Sequence, residues 1–358
     1  MRTILLAVLA SLWATAALAY PVGERHFQTT QPTAPLRDAQ HRDALRITVW
    51  YPANDLTPEE DILIGPPENP LFYVGEAAPN AGFADDRRRP VILFSHGFGG
   101  AARMMGWFGT VMAAQGYVVI AVDHPGNNGV DPMTVAGAAL FWERPGDLAA
   151  ALARVRQDPE LGRRLDLAKV GVAGFSAGGF TSLVAAGARV DVSRFKTFCR
   201  ERPNDGVCRP QKELPTLTID QAVAFLESPE AKAAVDRAAG DLSVPEVRAA
   251  FAMAPAIVQA LDLPSLQGLR IPVAIVVGDA DEVAPPNTNG SYAARMIPGA
   301  RLKVLPGVGH YDFLSRCTPA GEAAVRDLCA VGVPRSQTHR AAIEQALIHF
   351  GRAFGPPP

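Results

Sequence analysis

The chain has 358 residues, of which 48% are apolar, and its formal net charge is −2 at pH 7. This length and apolar content are sufficient for one large hydrophobic core. The low net charge, with Lys and Arg scattered along the sequence, argues against nucleic acid as a partner.

The first residues have the features of a secretory signal peptide. Met1-Arg2 is positively charged, residues 4–10 are apolar, and Ala17-Leu18-Ala19 has the small-x-small pattern that a signal peptidase accepts. The apolar stretch is shorter than the roughly 20 residues of a membrane-spanning helix. We therefore predict that residues 1–19 are removed and that the protein is exported, to the periplasm or out of the cell, without stable membrane insertion.

Short apolar or β-branched stretches alternate with helical patterns along the rest of the chain. The predicted strands are Leu45–Tyr51, Val91–Ser95, Val118–Val122, Val170–Ala173, Val247–Met253, Val273–Val277 and Arg301–Leu305. The predicted helices are 147–157, 180–188 and 340–354. This alternation predicts an α/β fold with a mostly parallel central sheet and helices on both faces.

Two connections, residues 126–145 and 190–245, are longer than ordinary turns, which is typical of functional loops and lids. The second contains an amphipathic stretch at 219–238, and we predict that it is a cap inserted over the sheet edge. The whole of 20–354 is then one domain. The Gly-Pro-Pro-Pro tail, 355–358, is predicted to be disordered.

The four cysteines form two closely spaced pairs, Cys199 with Cys208 and Cys317 with Cys329. An even number with local spacing favours two disulfide bonds in an oxidising compartment, although four cysteines allow three pairings. A zinc site is disfavoured because CxxC spacing and nearby histidines are both missing from the sequence. No metal and no cofactor are expected.

The candidate nucleophile is Ser176, in the sequence Gly174-Phe175-Ser176-Ala177-Gly178-Gly179. A predicted strand precedes it and a predicted helix follows, which is the context of a G-x-S-x-G nucleophile elbow. The glycines permit the tight turn, and the positive end of the helix favours the charge that develops on attack. The alternative is a glycine-rich turn that holds a buried serine.

A serine hydroxyl needs a base to remove its proton during attack. Among seven histidines we choose His310, because it lies in the flexible loop directly after the last predicted strand. His26, His41 and His339 are expected to be exposed, and His349 lies inside a helix.

A carboxylate must orient the imidazole through its other nitrogen. Asp281, a little beyond the strand 273–277, is the first choice because its side chain is free to reach across. Asp279 is the alternative, although an aspartate at that point more often bonds the turn backbone.

The oxyanion of the tetrahedral intermediate needs two hydrogen-bond donors. The backbone amides of Ala177, directly after the nucleophile, and Phe98, in the loop after strand 91–95, are predicted to supply them. His96, in the same loop, is expected to fix the shape of the loop.

Further residues in or near these loops are candidates for the substrate pocket, although each could equally belong to the core. They are Gly97, Trp107, His124 and Trp142. For His124 a structural role is favoured.

The order Ser176, Asp281, His310 resembles that of the α/β-hydrolase superfamily. Further similarity, to bacterial proteins like dienelactone hydrolases and platelet-activating-factor acetylhydrolases, comes from four segments: Val49-Trp50-Tyr51-Pro52, Phe94-Ser95-His96-Gly97, Asp123-His124-Pro125-Gly126 and Gly309-His310-Tyr311-Asp312-Phe313. The chain departs from dienelactone hydrolases, which usually have a cysteine nucleophile. It also lacks a carboxylate at 249–256, where the eukaryotic acetylhydrolases carry their acid.

The resemblance implies a serine esterase that cleaves a small-molecule or lipid-like carboxylic ester through an acyl-enzyme intermediate. A polyesterase or lipase for longer or polymeric esters is the alternative within enzymes. A non-catalytic binding protein on the same scaffold is the alternative outside them.

Overall fold

The computed structural model describes residues 19–358, so residues 1–18 of the predicted signal peptide lie outside the described part of the chain. The strands are β1 (Val22–Thr30), β2 (Ala44–Pro52), β3 (Glu60–Ile64), β4 (Phe72–Pro79), β5 (Arg89–Ser95), β6 (Val118–Asp123), β7 (Leu165–Phe175), β8 (Val247–Met253), β9 (Val273–Gly278), β10 (Arg301–Leu305) and β11 (Arg316–Cys317).

The strands form one sheet in the order β10-β9-β8-β7-β5-β6-β2-β1-β4-β11, with β3 paired to β4. The six strands from β10 to β6 are mutually parallel. At the other end, β2 is antiparallel to both β6 and β1. The seven predicted strands are all present, and the prediction of a mostly parallel α/β sheet is confirmed.

Helices cover both faces of the sheet. The helices are α1 (Ala34–Arg37), α2 (Gly106–Ala114), α3 (Val135–Ala139), α4 (Arg144–Arg156), α5 (Ala177–Ala185), α6 (Val192–Glu201), α7 (Ile219–Leu226), α8 (Lys232–Ala238), α9 (Leu263–Gly268), α10 (Gly290–Met296), α11 (Pro319–Ala324), α12 (Arg326–Cys329) and α13 (Arg335–Phe354). The three predicted helices correspond to α4, α5 and α13, and each observed helix begins earlier than the pattern indicated.

Successive residues of a central strand point into different cores because side chains alternate across a sheet. In β5, Leu93 packs with α4 and α5. Its neighbours Ile92 and Phe94 pack instead with α2 and α13 on the other face. All seven residues of β5 are buried, which explains the apolar run at 90–94.

The segment predicted to be a cap contains α6, α7 and α8. The amphipathic stretch 219–238 is two helices, because Ser228-Pro229 separates α7 from α8. The indole N–H of Trp142 donates a 3.0 Å hydrogen bond to the Ala234 carbonyl. Arg237 forms a 2.8 Å ion pair with Glu143. Helix α8 is therefore attached to the body through the segment just before α4.

Among residues 19–358, no helix is both long enough and apolar enough to cross a bilayer. The four tail residues, 355–358, have no regular secondary structure. The Pro358 carbonyl accepts hydrogen bonds from Arg89 and from the Tyr20 hydroxyl. The tail therefore lies against the start of the described chain.

Candidate active site

Ser176 lies on a strained turn between β7 and α5. Its backbone has φ 57° and ψ −119°, in the positive-φ region that residues other than glycine rarely adopt. Close backbone approach explains the neighbouring glycines, since a Cβ on Gly178 would lie 1.9 Å from the Ser95 carbonyl oxygen. The turn has the geometry expected of a nucleophile elbow.

The structure brings Ser176, His310 and Asp281 together. His310 Nε2 lies 2.8 Å from Ser176 Oγ, and His310 Nδ1 lies 2.7 Å from Asp281 Oδ2. The three residues are 4%, 5% and 4% exposed, so the hydrogen-bonded chain is shielded from water but reaches the surface of a cleft. They follow β7, β9 and β10 at the carboxyl edge of the sheet, where ligands bind in open α/β sheets.

The segment that carries His310 was predicted to be a flexible loop, but hydrogen bonds hold it in place. His310 begins a 3₁₀ turn that ends at Phe313. Asp312, 2% exposed, accepts hydrogen bonds from the backbone N–H groups of Gly309, Gly332 and Val333. This carboxylate ties the His310 turn to the segment before α13.

The hydrogen bonds of Asp281 and Asp279 distinguish the two candidate acids. Asp281 is buried, and its Oδ1 accepts hydrogen bonds from the amides of Val283 and Ala284 at 2.9 and 2.7 Å. Those bonds leave Oδ2 to face the imidazole. Asp279 is exposed and accepts a 2.6 Å hydrogen bond from the Gly307 amide. It therefore links two loops at the sheet edge, and only Asp281 contacts His310.

The amides of Phe98 and Ala177 are available to a ligand. Ala177 is the first residue of α5, where a backbone N–H has no acceptor within the helix. The Phe98 amide has no acceptor among residues 19–358. Both residues line the same cleft as Ser176. Gly97 lies beside the serine, because a Cβ on Gly97 would be 3.4 Å from the Ser176 Cβ.

A second Ser–His–Asp chain lies behind the cleft, entirely buried. Ser95 Oγ lies 2.8 Å from His124 Nε2, and His124 Nδ1 lies 2.8 Å from Asp147 Oδ2. Burial, together with the nearby Arg144 charge, lowers the pKa of His124 to about 3, so the imidazole is neutral. Its Nδ1–H then donates to Asp147, and Ser95 donates to its Nε2. Ser95 is 0% exposed, so this chain connects the end of β5 to α4 and has no access to substrate.

Asp147 remains ionised because a buried guanidinium faces it. Arg37 Nη1 and Nη2 donate hydrogen bonds of 2.9 and 2.7 Å to its two oxygens. Burial alone would raise the pKa of Asp147, but the Arg37 charge outweighs it and keeps the pKa well below the usual range. Sequence analysis missed Arg37 and Asp147 because they are 110 residues apart.

A cleft of about 990 Å³, its open mouth included, lies between the sheet edge and the cap segment. Phe98, Ser176 and Ala177 line it from the body. From the cap, α6, α7 and the segment between them contribute mainly apolar side chains: Phe195, Val207, Leu214, Leu217, Ile219, Val223 and Leu226. The Tyr311 hydroxyl also donates a 3.4 Å hydrogen bond to Glu213, so the cap segment reaches the residue next to His310.

Three of the predicted pocket residues lie elsewhere. Trp107 stacks on His339 with ring centroids 3.8 Å apart, on the other side of the sheet from α5. Trp142 is fully buried and bonds the cap backbone, and His124 is enclosed in the network with Ser95. The prediction that His339 is exposed was also wrong, because it is 8% exposed beneath that stacking contact. Both tryptophan rings therefore fill cores, and the cleft is lined by phenylalanine and aliphatic side chains.

The cysteine sulfurs lie at bonding distance in the predicted pairs. Cys199 and Cys208 are 2.01 Å apart, and Cys317 and Cys329 are 1.99 Å apart, consistent with two disulfide bonds. Within residues 19–358 no group of three His, Cys, Asp or Glu side chains is arranged to hold a metal ion.

Comparisons with known proteins agree with this geometry. A model of the alpha/beta hydrolase family matches residues 91–323. A solved structure titled as a ferulic acid esterase from Streptomyces cinnamoneus matches with a TM-score of 0.59 at 20% identity, over 95% of this chain and 91% of that one. A search of curated proteins found no match. The family match covers well over half of the sequence, and the chain belongs to the alpha/beta hydrolase family.

Proposed function

We propose that the protein is an exported serine esterase that hydrolyses carboxylic esters through an acyl-enzyme on Ser176. The observation that carries the proposal is the continuous hydrogen-bonded chain from Asp281 through His310 to Ser176, which ends at the floor of an apolar cleft. Two backbone amides that have no acceptor in the described part of the chain line the same cleft. Nucleophile, base, orienting acid and oxyanion donors are thus all supplied.

In the proposed reaction, Ser176 Oγ attacks the ester carbonyl carbon as His310 Nε2 takes the hydroxyl proton. Asp281 holds the other imidazole nitrogen protonated and stabilises the imidazolium. The amides of Phe98 and Ala177 donate to the oxyanion. His310 then protonates the leaving alcohol, and a water molecule, activated by the same imidazole, releases the acid and regenerates the serine.

The apolar cleft favours an ester with an apolar acyl group. Because the cap segment supplies one wall, short and medium acyl chains should fit better than long ones. A lipase or polyesterase activity is the second candidate, favoured by the continuous aliphatic wall of α7. Rates on p-nitrophenyl acetate, butyrate and palmitate separate the two, since only the second candidate should hydrolyse palmitate as fast as butyrate.

Export and the subgroup also belong to this proposal. The two sulfur pairs at bonding distance support an oxidising compartment. The similarity to dienelactone hydrolases and platelet-activating-factor acetylhydrolases favours a small or lipid-like ester as substrate.

Replacing Ser176 by alanine tests the proposal. We expect Ser176→Ala to lose p-nitrophenyl butyrate hydrolysis and labelling by a fluorophosphonate probe, with an unchanged circular dichroism spectrum. Ser193→Ala, which changes an exposed serine on α6, is the matched control and should retain both. A wild-type protein that neither hydrolyses esters nor reacts with the probe would support the binding-protein alternative.

A further inference from the structure

Arg144, the first residue of α4, is a buried cation in an unfavourable position. It is 2% exposed and lines the cleft with Ser176. Burial lowers its pKa to about 9, so it remains charged at neutral pH. It forms no ion pair within residues 19–358, and it stands at the positive end of its helix. The Asp147 charge offsets the cost of burying this cation only in part, so the pKa of Arg144 stays lowered. Residues buried at such a cost are expected at functional sites.

The Arg144 guanidinium donates its hydrogen bonds to the loop that carries Phe98 and to Asn127, which also contacts that loop. Its Nη1 donates to the His96 carbonyl at 2.7 Å, and its Nη2 donates to Asn127 Oδ1 at 2.9 Å. The same Asn127 oxygen accepts a 2.8 Å hydrogen bond from the Gly99 amide. One guanidinium therefore fixes the loop on both sides of Phe98, directly at His96 and through Asn127 at Gly99.

The loop needs such support because its own sequence is flexible. Gly97, Gly99 and Gly100 surround Phe98, and Gly99 has φ +62°. A glycine-rich segment has many accessible backbone conformations, so an amide within it points in a fixed direction only when neighbouring groups hold it. Oxyanion donors are effective when they are already aimed at the developing charge.

We propose that Arg144 is a positioning residue that, with Asn127, holds the His96–Gly99 segment so that the Phe98 amide points into the oxyanion site. This inference rests on the proposed function, since it assigns a role within the same site. A misplacement of about 1 Å can cost about a hundredfold in rate. Loss of Arg144 should therefore lower kcat by about ten- to a hundredfold and change KM by less than about threefold.

A double-mutant cycle tests whether the two residues act through one loop. We expect Arg144→Ala and Asn127→Ala each to lower kcat on p-nitrophenyl butyrate. The kcat of the double variant should lie within about threefold of the kcat of the slower single variant. Arg156→Ala, an exposed arginine in the last turn of the same helix, is the matched control. Independent losses that multiply in the double variant would overturn the proposal.

Chemical rescue guards against a loss that reflects misfolding. Arg144→Ala removes a side chain that lines the open cleft, so guanidinium ion can enter the space. Millimolar methylguanidinium should raise the kcat of Arg144→Ala at least about threefold and leave the kcat of Asn127→Ala unchanged. Arg144→Lys should recover little, because an ammonium cannot reproduce the two-point geometry. Failure of rescue in a variant with native circular dichroism would count against the positioning role.

The three remaining N–H groups of Arg144 suggest the competing role of binding a substrate carboxylate. A loss confined to the p-nitrophenyl hemisuccinate ester, with normal hydrolysis of the neutral butyrate ester, would establish that role and overturn ours. Fluorophosphonate labelling of Ser176 supplies a readout that does not depend on ester turnover. If the wild type labels but cleaves no ester, the proposed function fails, and slower labelling of Arg144→Ala still tests the inference.

Discussion

Acid should unfold this protein through four buried histidines. His96, His124, His339 and His349 are 0%, 0%, 8% and 1% exposed. Burial is the main cause that lowers each pKa, to about 3 for His124 and His339, to about 4 for His349, and well below 6.5 for His96. Each imidazole is therefore neutral in the folded protein at neutral pH.

The sign of the effect follows from proton uptake. In the unfolded chain each imidazole titrates near pH 6.5, so below that pH the unfolded state binds more protons than the folded state, and stability falls as the pH falls. Between pH 7 and pH 5 each histidine whose folded pKa is about 3 or 4 contributes a loss of about 2 kcal/mol. These three give about 6 kcal/mol, and His96 adds to the loss, so the total is comparable with the whole stability of a typical domain.

Urea unfolding at pH 7, 6 and 5 measures this loss. His349→Asn isolates one contribution, because Arg301 Nη2 lies 2.9 Å from His349 Nδ1 and an asparagine oxygen can replace that acceptor. We expect the difference in unfolding free energy between pH 7 and pH 5 to shrink by about 2 kcal/mol in this variant. Comparing two pH values of one variant cancels any packing loss.

His41→Asn is the control, because His41 is exposed and its φ of 54° suits asparagine. A wild-type loss below about 2 kcal/mol between pH 7 and pH 5 would refute the assignment of four neutral buried imidazoles. So would a His349→Asn variant whose pH dependence matches that of the wild type.

Three further predictions concern the site and its supports. In p-nitrophenyl butyrate assays, Asp281→Asn should lower kcat by about a thousandfold or more. Asp279→Asn keeps its acceptor oxygen and should lower kcat by less than about threefold. Equal losses of kcat in the two variants would contradict the choice of Asp281 as the acid. Gly178→Ala should lower the free energy of unfolding by about 3 kcal/mol or more in urea, because the new Cβ would lie 1.9 Å from a backbone oxygen. A variant as stable as the wild type would show that the turn at Ser176 can relax. Replacing Cys317 and Cys329 by serine should cost about 2 to 3 kcal/mol, and a melting temperature insensitive to both this change and dithiothreitol would argue against the bond.

The central strands could be predicted from sequence because burial on both faces leaves a continuous apolar run, as in β5 and β9. At the other end of the sheet β2 was predicted, but β1, β3, β4 and β11 were missed, and for β1 and β3 the converse reason holds. In β1 the residues after Glu24 alternate between partly buried and exposed, and three charged or polar residues, Glu24, Arg25 and His26, stand in succession. In β3 the register shifts between Ile62 and Leu63, which breaks the two-residue period.

Residues at the ends of buried strands were predictable as site candidates because parallel strands bring their carboxyl ends to one edge. This reasoning predicted Ser176, Asp281 and His310 at one edge, and in the structure their side chains are joined by hydrogen bonds. The pocket was not predictable in the same way, because its wall comes from short helices and turns of the cap segment that have no strong period of their own. Nearness in sequence to the site loops was a misleading guide, because it selected Trp107 and Trp142, whose rings are packed in cores on either face of the sheet.

The sequence nevertheless contained one unused signal, at the start of α4. Proline near a helix start and an aspartate in the first turn are ordinary, and Pro145 and Asp147 follow that pattern. An arginine in the first position opposes the helix dipole and gains nothing locally. Such a conflict indicates that a partner outside the helix determines the residue, and in the structure that partner is the loop beside Ser176. A residue that opposes the helix dipole at a helix start, as Arg144 does, is therefore a candidate for a positioning role that a search for catalytic motifs does not detect.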